Sequence, residues 1–250
     1  MYQKERIEAI CEILRKYGYV TVKFLSAELG YSTATVNRDL NHMEKLSMIR
    51  RTYGGVESTE TAYTPLLFRY DAYKSAKRAI CKRAAEFVEE GDTVFVDAST
   101  TTQFLAEYLP KAKPSLVITP NTALAAMLSE QGICVHILGG QVVEAPYFCG
   151  GAETVQAARS YRADKCFLSL AYVTENGELI AREDNKFLYK EFLARSKQSF
   201  LLLHHGKIKS GNIFCGTLDD VSCVISDIDY DEEYQARFGG VRFVCVENKE

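Results

Sequence analysis

The stretch Tyr17 to Val56, YGYVTVKFLSAELGYSTATVNRDLNHMEKLSMIRRTYGGV, restricts the fold more than any other part of the chain. Val22–Leu29 predicts a short helix stopped by Gly30. A second helix is predicted to start at Ser32, a residue type that caps helix N-termini with its side-chain oxygen. Two short helices joined by such a turn make the helix-turn-helix layout, whose second helix enters the DNA major groove.

The second helix has a defined wheel. Val36, Leu40 and Met43 fall at i, i+4 and i+7 on one face, and Ala34, Arg38, Asn41 and Lys45 fall roughly opposite. Ser32, Thr33, Thr35 and Asn37 flank that outer face. Arg suits guanine, Asn suits adenine, and Lys and Thr suit phosphates. An ordinary amphipathic surface helix has the same polar front, so the wheel alone leaves both readings open. The flanks favour DNA. An upstream helix places Ile7, Ile10, Ile13, Leu14 and Tyr17 inward, enough to close a three-helix core. Downstream, Met48-Ile49-Arg50-Arg51-Thr52-Tyr53-Gly54-Gly55 predicts a two-stranded wing, with Arg50, Arg51 and Tyr53 available to the DNA backbone or minor groove.

Charge is distributed accordingly. Residues 1–55 hold nine Lys and Arg against six Asp and Glu, while the remainder holds 21 against 27. The net charge of −3 therefore hides a basic head on an acidic body, and phosphate contact requires only local positive charge.

With 250 residues, 47% of them hydrophobic, the chain can build two domains with their own cores. We expect a winged helix-turn-helix domain at 1–56, a linker at 57–75 and an α/β domain at 76–250. In the linker Pro65 blocks a continuous helix, and Pro65-Leu66-Leu67-Phe68-Arg69 is apolar enough to dock on one of the domains. A helix is predicted from Lys74 to Glu90, closed by Gly91, with Ala76, Ile80, Ala84, Phe87 and Val88 inward. Strands are predicted at Thr93–Val96, Leu116–Thr119, Ile133–Leu138, Lys165–Ala171, Phe200–Leu203, Cys223–Ile225 and Arg242–Val246, with helices near Thr101 and over Thr122–Ser129. Apolar strands alternating with helices predict an open, mainly parallel α/β sheet. No apolar run approaches the ~20 residues of a membrane span, and Met1–Lys16 reads as a charged helix rather than a signal peptide. The eight cysteines form no C-x-x-C pair, so they are expected to be buried thiols in a reducing cytoplasm.

The segment VFVDASTTTQFL carries the clearest site signal of the second domain. A strand ends at Asp97, and Ser99, Thr100, Thr101 and Thr102 lead toward a helix. Ligands of open sheets bind at the carboxyl ends of strands, and a helix N-terminus suits a phosphate. A hydroxyl-rich cap that binds nothing is the alternative. Thr119-Pro120-Asn121-Thr122 and Gly139-Gly140 end the next two strands at the same edge. Together these loops form a rim for a small anionic ligand, with Thr119, Asn121, Gly139 and Gly140 among its candidate residues. Lys190 and Lys207 can pair with phosphate or be surface lysines. His204 and His205 are adjacent on a strand and would point to opposite faces, so no metal site is expected.

The head resembles the N-terminal domain of the DeoR family of bacterial repressors, through Gly18, Val20, Val22, Leu25, Leu29, Ser32, Thr35, Val36, Arg38, Asp39, Leu40, Glu44, Arg51, Gly54 and Gly55. Asn37, Ser47 and Tyr53 depart from that pattern, where the family usually has Arg, Gly and His. In the second domain Asp97-Ala98-Ser99-Thr100-Thr101, Thr119-Pro120-Asn121-Thr122, Gly139-Gly140 and Asp164-Lys165-Cys166-Phe167-Leu168 look like the family's sensor motifs. Arg69 and Lys77 fit its linker and first sensor helix. The Leu203-His204-His205-Gly206-Lys207 stretch keeps the family's Lys but not its acid or Ser. The resemblance implies a sensor domain similar to ribose-5-phosphate isomerase and a phosphorylated sugar or sugar metabolite as effector. A helix-turn-helix protein is expected to act on a double-stranded DNA operator with repeated half-sites as a homo-oligomer pairing two heads, and with no metal-ligand spacing in the sequence neither a metal nor a cofactor is expected. A surviving isomerase with an added head is the rival. Asp97 and Glu183 are its arguable acid–base residues, and no acid-plus-base cluster stands out.

Overall fold

The computed structural model describes residues 3–45, 48–58, 69–70, 72–144, 148–182 and 185–247. The chain divides into two compact units, Met1–Lys74 and Ser75–Glu250. The expected docking of Pro65-Leu66-Leu67-Phe68 falls on residues outside those described.

The first unit is built on α1 (Gln3–Tyr17), α2 (Val22–Leu29) and α3 (Thr33–Lys45). Thr21 caps α2 by accepting a hydrogen bond from the Phe24 N–H at 3.1 Å. Gly30 ends it at φ 69°, a left-handed conformation that favours glycine over any side chain. Ser32 accepts from the Thr35 N–H at 3.3 Å, as an N-cap should. Ile10, Leu14, Leu25, Val36, Leu40 and Met43 close the core, with Ile7, Ile13 and Tyr17 packed at its margin.

Two features of the head were not foreseen. Asp39, inside the core at 1% exposure, is gripped by Arg6, whose Nε and Nη2 donate to it at 2.7 and 3.0 Å. The wing also has three strands rather than two. β1 (Tyr19–Thr21) pairs antiparallel with β3 (Gly55–Ser58), which pairs in turn with β2 (Ile49–Thr52). The ladder explains Gly55. A Cβ there would collide with the Tyr19 hydroxyl and the Val20 carbonyl. Gly55→Ala is therefore expected to destabilise the head by about 1–3 kcal/mol through overpacking. Calorimetry of the whole protein should show the head transition falling and the other holding, and an unmoved head would mean the contact relaxes freely.

The second unit carries a seven-stranded, wholly parallel sheet in the order β15-β14-β12-β9-β4-β5-β6. Its strands are β4 (Thr93–Val96), β5 (Leu116–Thr119), β6 (Val135–Ile137), β9 (Ala163–Leu168), β12 (Ser196–Leu203), β14 (Cys223–Ser226) and β15 (Arg242–Cys245). The central strands are buried because helices cover the sheet, which is why they read as continuous apolar runs. Phe95 of β4 stacks on Phe192 at 4.4 Å between ring centroids.

Several expected boundaries move. Helix α4 is Lys74–Ala85 and stops short of Glu90, because Glu86, Phe87 and Val88 bond three residues back in a tightened turn. The helix expected near Thr101 is a 3₁₀ turn, Thr102–Glu107, followed by α5 (Leu109–Ala112). Helix α6 is Thr122–Glu130, α7 is Ala152–Ala158 and α8 is Lys186–Ala194. Glu183, the second carboxylate of the rival enzyme reading, lies outside the described residues. Two small antiparallel sheets were not foreseen: β7 (Gln141–Glu144) with β8 (Phe148–Gly150), and β10 (Tyr172–Val173), β11 (Glu178–Ile180) and β13 (Phe214–Thr217). Of the cysteines, 81, 149, 166, 215 and 223 are buried as expected, whereas Cys134 and Cys245 are exposed and Cys11 is half-buried. No helix among the described residues is long and apolar enough to cross a membrane.

Candidate functional site

On the head, the polar front of α3 is solvent-facing. Ser32, Thr33, Arg38, Asn41, Lys45 and Arg50 are exposed, Thr35 and Asn37 are half-buried, and Tyr53 at the wing tip is 67% exposed. Arg50 and Arg51 diverge, as neighbours on a strand must. Arg50 points outward, 3.6 Å from Glu57. Arg51 folds back on α3, where its guanidinium donates to Asn37 Oδ1 at 2.9 Å, the Asn37 carbonyl at 3.0 Å and Asn41 Oδ1 at 2.7 Å. Its Nε stands 3.7 Å from Glu44.

The sheet register sets the second site. Phe95 pairs with Ile118, Val96 with Phe167, Leu201 with Leu168, and Thr119 with Ile137. The carboxyl ends of β4, β5, β6, β9 and β12 thus form one edge, which brings Asp97, Thr119, Gly139, Ser169 and His204 to the same side. Asp97 is fully buried and accepts from the Ser99 N–H at 3.1 Å, the Ser169 N–H at 2.8 Å and the Thr102 hydroxyl at 2.5 Å. Burial pushes its carboxyl up from the usual range, against those hydrogen bonds and the Lys207 charge. A carboxylate held by three donors anchors the loop. Ser99 accepts from the Thr102 N–H at 3.0 Å and so starts the 3₁₀ turn.

Three further groups converge on this edge. Lys77 is 1% exposed on α4 and donates to the Thr100 hydroxyl at 3.2 Å. Cys81, one turn on, donates to the Thr101 carbonyl at 3.1 Å. Thr101 is itself fully buried, and its hydroxyl has no hydrogen-bond partner among the described residues. Lys207 donates to the Ser169 hydroxyl at 2.8 Å and to the Ser169 and Leu170 carbonyls at 3.2 and 2.6 Å. Lys77 and Ser169 were not among the candidate effector residues. Lys77 was findable, since it shares the inward stripe of α4 with Cys81 and Ala84. Ser169 had no local signal.

Other candidates are accounted for within the chain. Thr119 accepts from the Asn121 N–H at 3.1 Å, and Asn121 caps α6 by accepting from Leu124 at 3.0 Å. Gly140, expected to let a ligand approach, instead admits its own chain: a Cβ would strike the Thr154 hydroxyl and the Gly150 carbonyl. Gly139 is exposed and its carbonyl accepts from Thr154 at 2.9 Å. Lys190 is exposed on α8. A groove of about 430 Å³ lies at the opposite end of the sheet, lined by Arg162, Glu191, Arg195 and Lys197. Glu191 there is shared by Arg159 and Arg195, and Lys197 pairs with Asp164.

Contrary to expectation neither histidine is on a strand, because β12 ends at Leu203 and His205 opens a 3₁₀ turn; His204 is buried, whereas His205 is exposed and paired with Asp227 at 2.6 Å. Among the described residues no three His, Cys, Asp or Glu side chains are grouped to hold a metal. Burial, then Lys207, Lys77, His205 and Lys209, hold His204 well below its ordinary value. Unfolded histidine titrates near ~6.5. The folded chain therefore binds fewer protons below that pH, and stability falls as the pH drops through ~6.5, by up to about 1.4 kcal/mol per unit. Asp97 acts oppositely, its contribution being full below about 3.9 and lost as the pH rises. His204→Gln is expected to flatten the loss of sensor melting temperature between pH 7.5 and 5.5. Parallel falls in both proteins would assign it elsewhere.

A winged helix-turn-helix joined to an α/β unit with a polar strand-end rim is the build of a ligand-controlled transcriptional regulator. The chain belongs to the DeoR family: the DeoR-like helix-turn-helix domain matches residues 6–62 and the DeoR C terminal sensor domain matches residues 73–228. The HTH-type transcriptional repressor GlcR of Bacillus subtilis strain 168 is 30% identical to it over 91% of this chain and 89% of that protein. A lactose phosphotransferase system repressor of Streptococcus mutans is 27% identical over 94% and 96% respectively. Among solved structures, ribose 5-phosphate isomerase A from Methanocaldococcus jannaschii is similar over 55% of this chain and 56% of that one. Its identity is 14% and its TM-score 0.42, too low to bear on fold or function.

Proposed function

We propose that this chain is a sequence-specific DNA-binding regulator, a repressor of carbohydrate-metabolism genes, controlled in the cytoplasm by a phosphorylated sugar or related metabolite. The observation that carries this reading is α3 itself: capped at Ser32, buried along Val36, Leu40 and Met43, and donor-lined along its exposed front. In this account Arg38, Asn37 and Asn41 meet base edges. Ser32, Thr33, Thr35, Lys45, Arg50 and Tyr53 meet the backbone. Two copies of the chain pair their heads on repeated half-sites. The family assignment and the relatives named as repressors support the reading.

For the effector we propose the rim of Asp97, Ser99, Thr100, Thr101, Thr102, Thr119, Asn121 and Gly139, with Lys207 and, from α8, Lys190 supplying cations. Ligand there favours one arrangement of the paired heads, and its effect on DNA affinity is no larger than its differential affinity for the two arrangements. The test is a thermal-shift screen of the whole protein against sugar phosphates, free sugars and nucleotides, since a ligand that binds only the folded state raises its melting temperature. A sugar phosphate should raise the sensor transition, and Thr101→Ala should remove the shift. Stabilisation by free sugars or nucleotides alone would overturn the effector class.

A further inference from the structure

We infer that Arg51 sets the hydrogen-bonding polarity of the reading helix, holding Asn37 and Asn41 by their side-chain carbonyls so that both present amide N–H donors to the groove. This rests on the proposed reading of DNA by α3. Its consequence is a preference at those positions for bases whose edges present acceptors without a donor, guanine N7 and O6 or thymine O4, over adenine, whose N7 acceptor stands beside the N6 donor.

An arginine guanidinium has five N–H donors and no acceptor, so it can hold an asparagine only by oxygen. Arg51 meets Asn37 Oδ1 at 2.9 Å and Asn41 Oδ1 at 2.7 Å, which fixes the flip of both amides. Charge-assisted bonds of this kind are short and strong. The third bond, to the Asn37 carbonyl at 3.0 Å, and Glu44 at 3.7 Å from Nε hold the guanidinium in place. Asn37 and Asn41 are one turn apart, so their amides line one stripe of α3. Among the described residues neither Nδ2 has a hydrogen-bond partner, and Asn41 is exposed. The stripe therefore offers donors outward while its acceptors face a cation.

An asparagine reads adenine by using both ends of its amide, accepting from N6 and donating to N7. With Oδ1 turned toward Arg51, one of its two lone pairs is taken and the other lies beside the guanidinium, away from the groove. Adenine N6 and cytosine N4 would bring donors toward a fixed guanidinium. The wing arginine expected to lie along the DNA backbone thus acts instead as a positioning residue, working through two side chains of the helix.

The experiment selects sequences from a library of duplexes with a randomised core, using the full-length protein and its Arg51→Lys, Arg51→Met, Asn37→Ala and Asn41→Ala variants, each first shown to melt like the wild type. The wild type is expected to enrich guanine or thymine at the positions that the two Asn variants flatten. Both Arg51 variants should flatten those same positions, by about tenfold in base preference, and leave the others intact. Arg51→Lys keeps the charge, so it separates positioning from electrostatics. Should Arg51→Lys retain every preference while Arg51→Met lowers the salt slope by about one, Arg51 is a phosphate contact and the inference falls. Adenine at the Asn-dependent positions overturns it without any Arg51 variant. A wild type that enriches nothing refutes the reading of DNA by α3, a result distinct from an intact motif indifferent to Arg51.

Discussion

Leu40→Ala is expected to abolish DNA binding while leaving the sensor domain folded. Leu40 is fully buried where α3 meets the core of the head, among Ile10, Leu14, Leu25, Val36, Met43, Ile49 and Val56. Removing its branched end deletes transfer free energy and leaves a cavity, together about 2–5 kcal/mol. A domain of this size buries a smaller fraction of its surface and has about 5 kcal/mol or little more in reserve. The sensor keeps a separate core around Phe95, Ile118, Phe192 and Leu201, so its transition should not move. Calorimetry of the full chain with a DNA-binding assay checks both halves. If DNA binding survived with the head transition lost, recognition would not depend on the α3 core.

Lys207→Met is the second large effect. Lys207 ties the loop after β12 to the loop after β9 through the Ser169 hydroxyl and two carbonyls, and its charge opposes the rise that burial imposes on the Asp97 carboxyl. Methionine fills similar space but supplies no donor. Carbonyls left unmet in such a place cost about 1–3 kcal/mol of sensor stability. If the proposed effector meets Lys207, losing one charged hydrogen bond should weaken it by about 10- to 100-fold. Isothermal titration separates the two effects, because a scaffold role alone lowers the melting temperature and leaves affinity unchanged.

What was legible in the sequence follows from range. The α2–α3 turn rests on contacts within three or four residues, so Gly30 and Ser32 mark it and the 3.6-residue rhythm marks its core. Parallel strands buried on both faces announce themselves as apolar runs, and the seven appear close to where those runs lie. Partners distant in the chain were not legible. The grip of Arg6 on Asp39 spans 33 residues, and the fold-back of Arg51 onto Asn37 spans 14. Strands of two to four residues in the small sheets are too short to have a period. The hydroxyl run after Asp97 was correctly placed at a strand end. In place of the expected helix, Thr102 turns its side chain to Asp97 and the segment tightens to 3₁₀. Gly140 shows how a glycine pair can mark close packing of the chain on itself as readily as approach to a ligand.

The most direct test of the central claim is DNA affinity measured with and without sugar phosphates, using a duplex selected by the wild-type protein. The account predicts tight binding to that duplex over scrambled DNA, and a phosphorylated sugar that changes the affinity by about 5- to 150-fold. The unphosphorylated sugar should leave it unchanged, and Lys207→Met should blunt the response. Binding indifferent to sequence, or specific binding that no sugar phosphate alters, would contradict it.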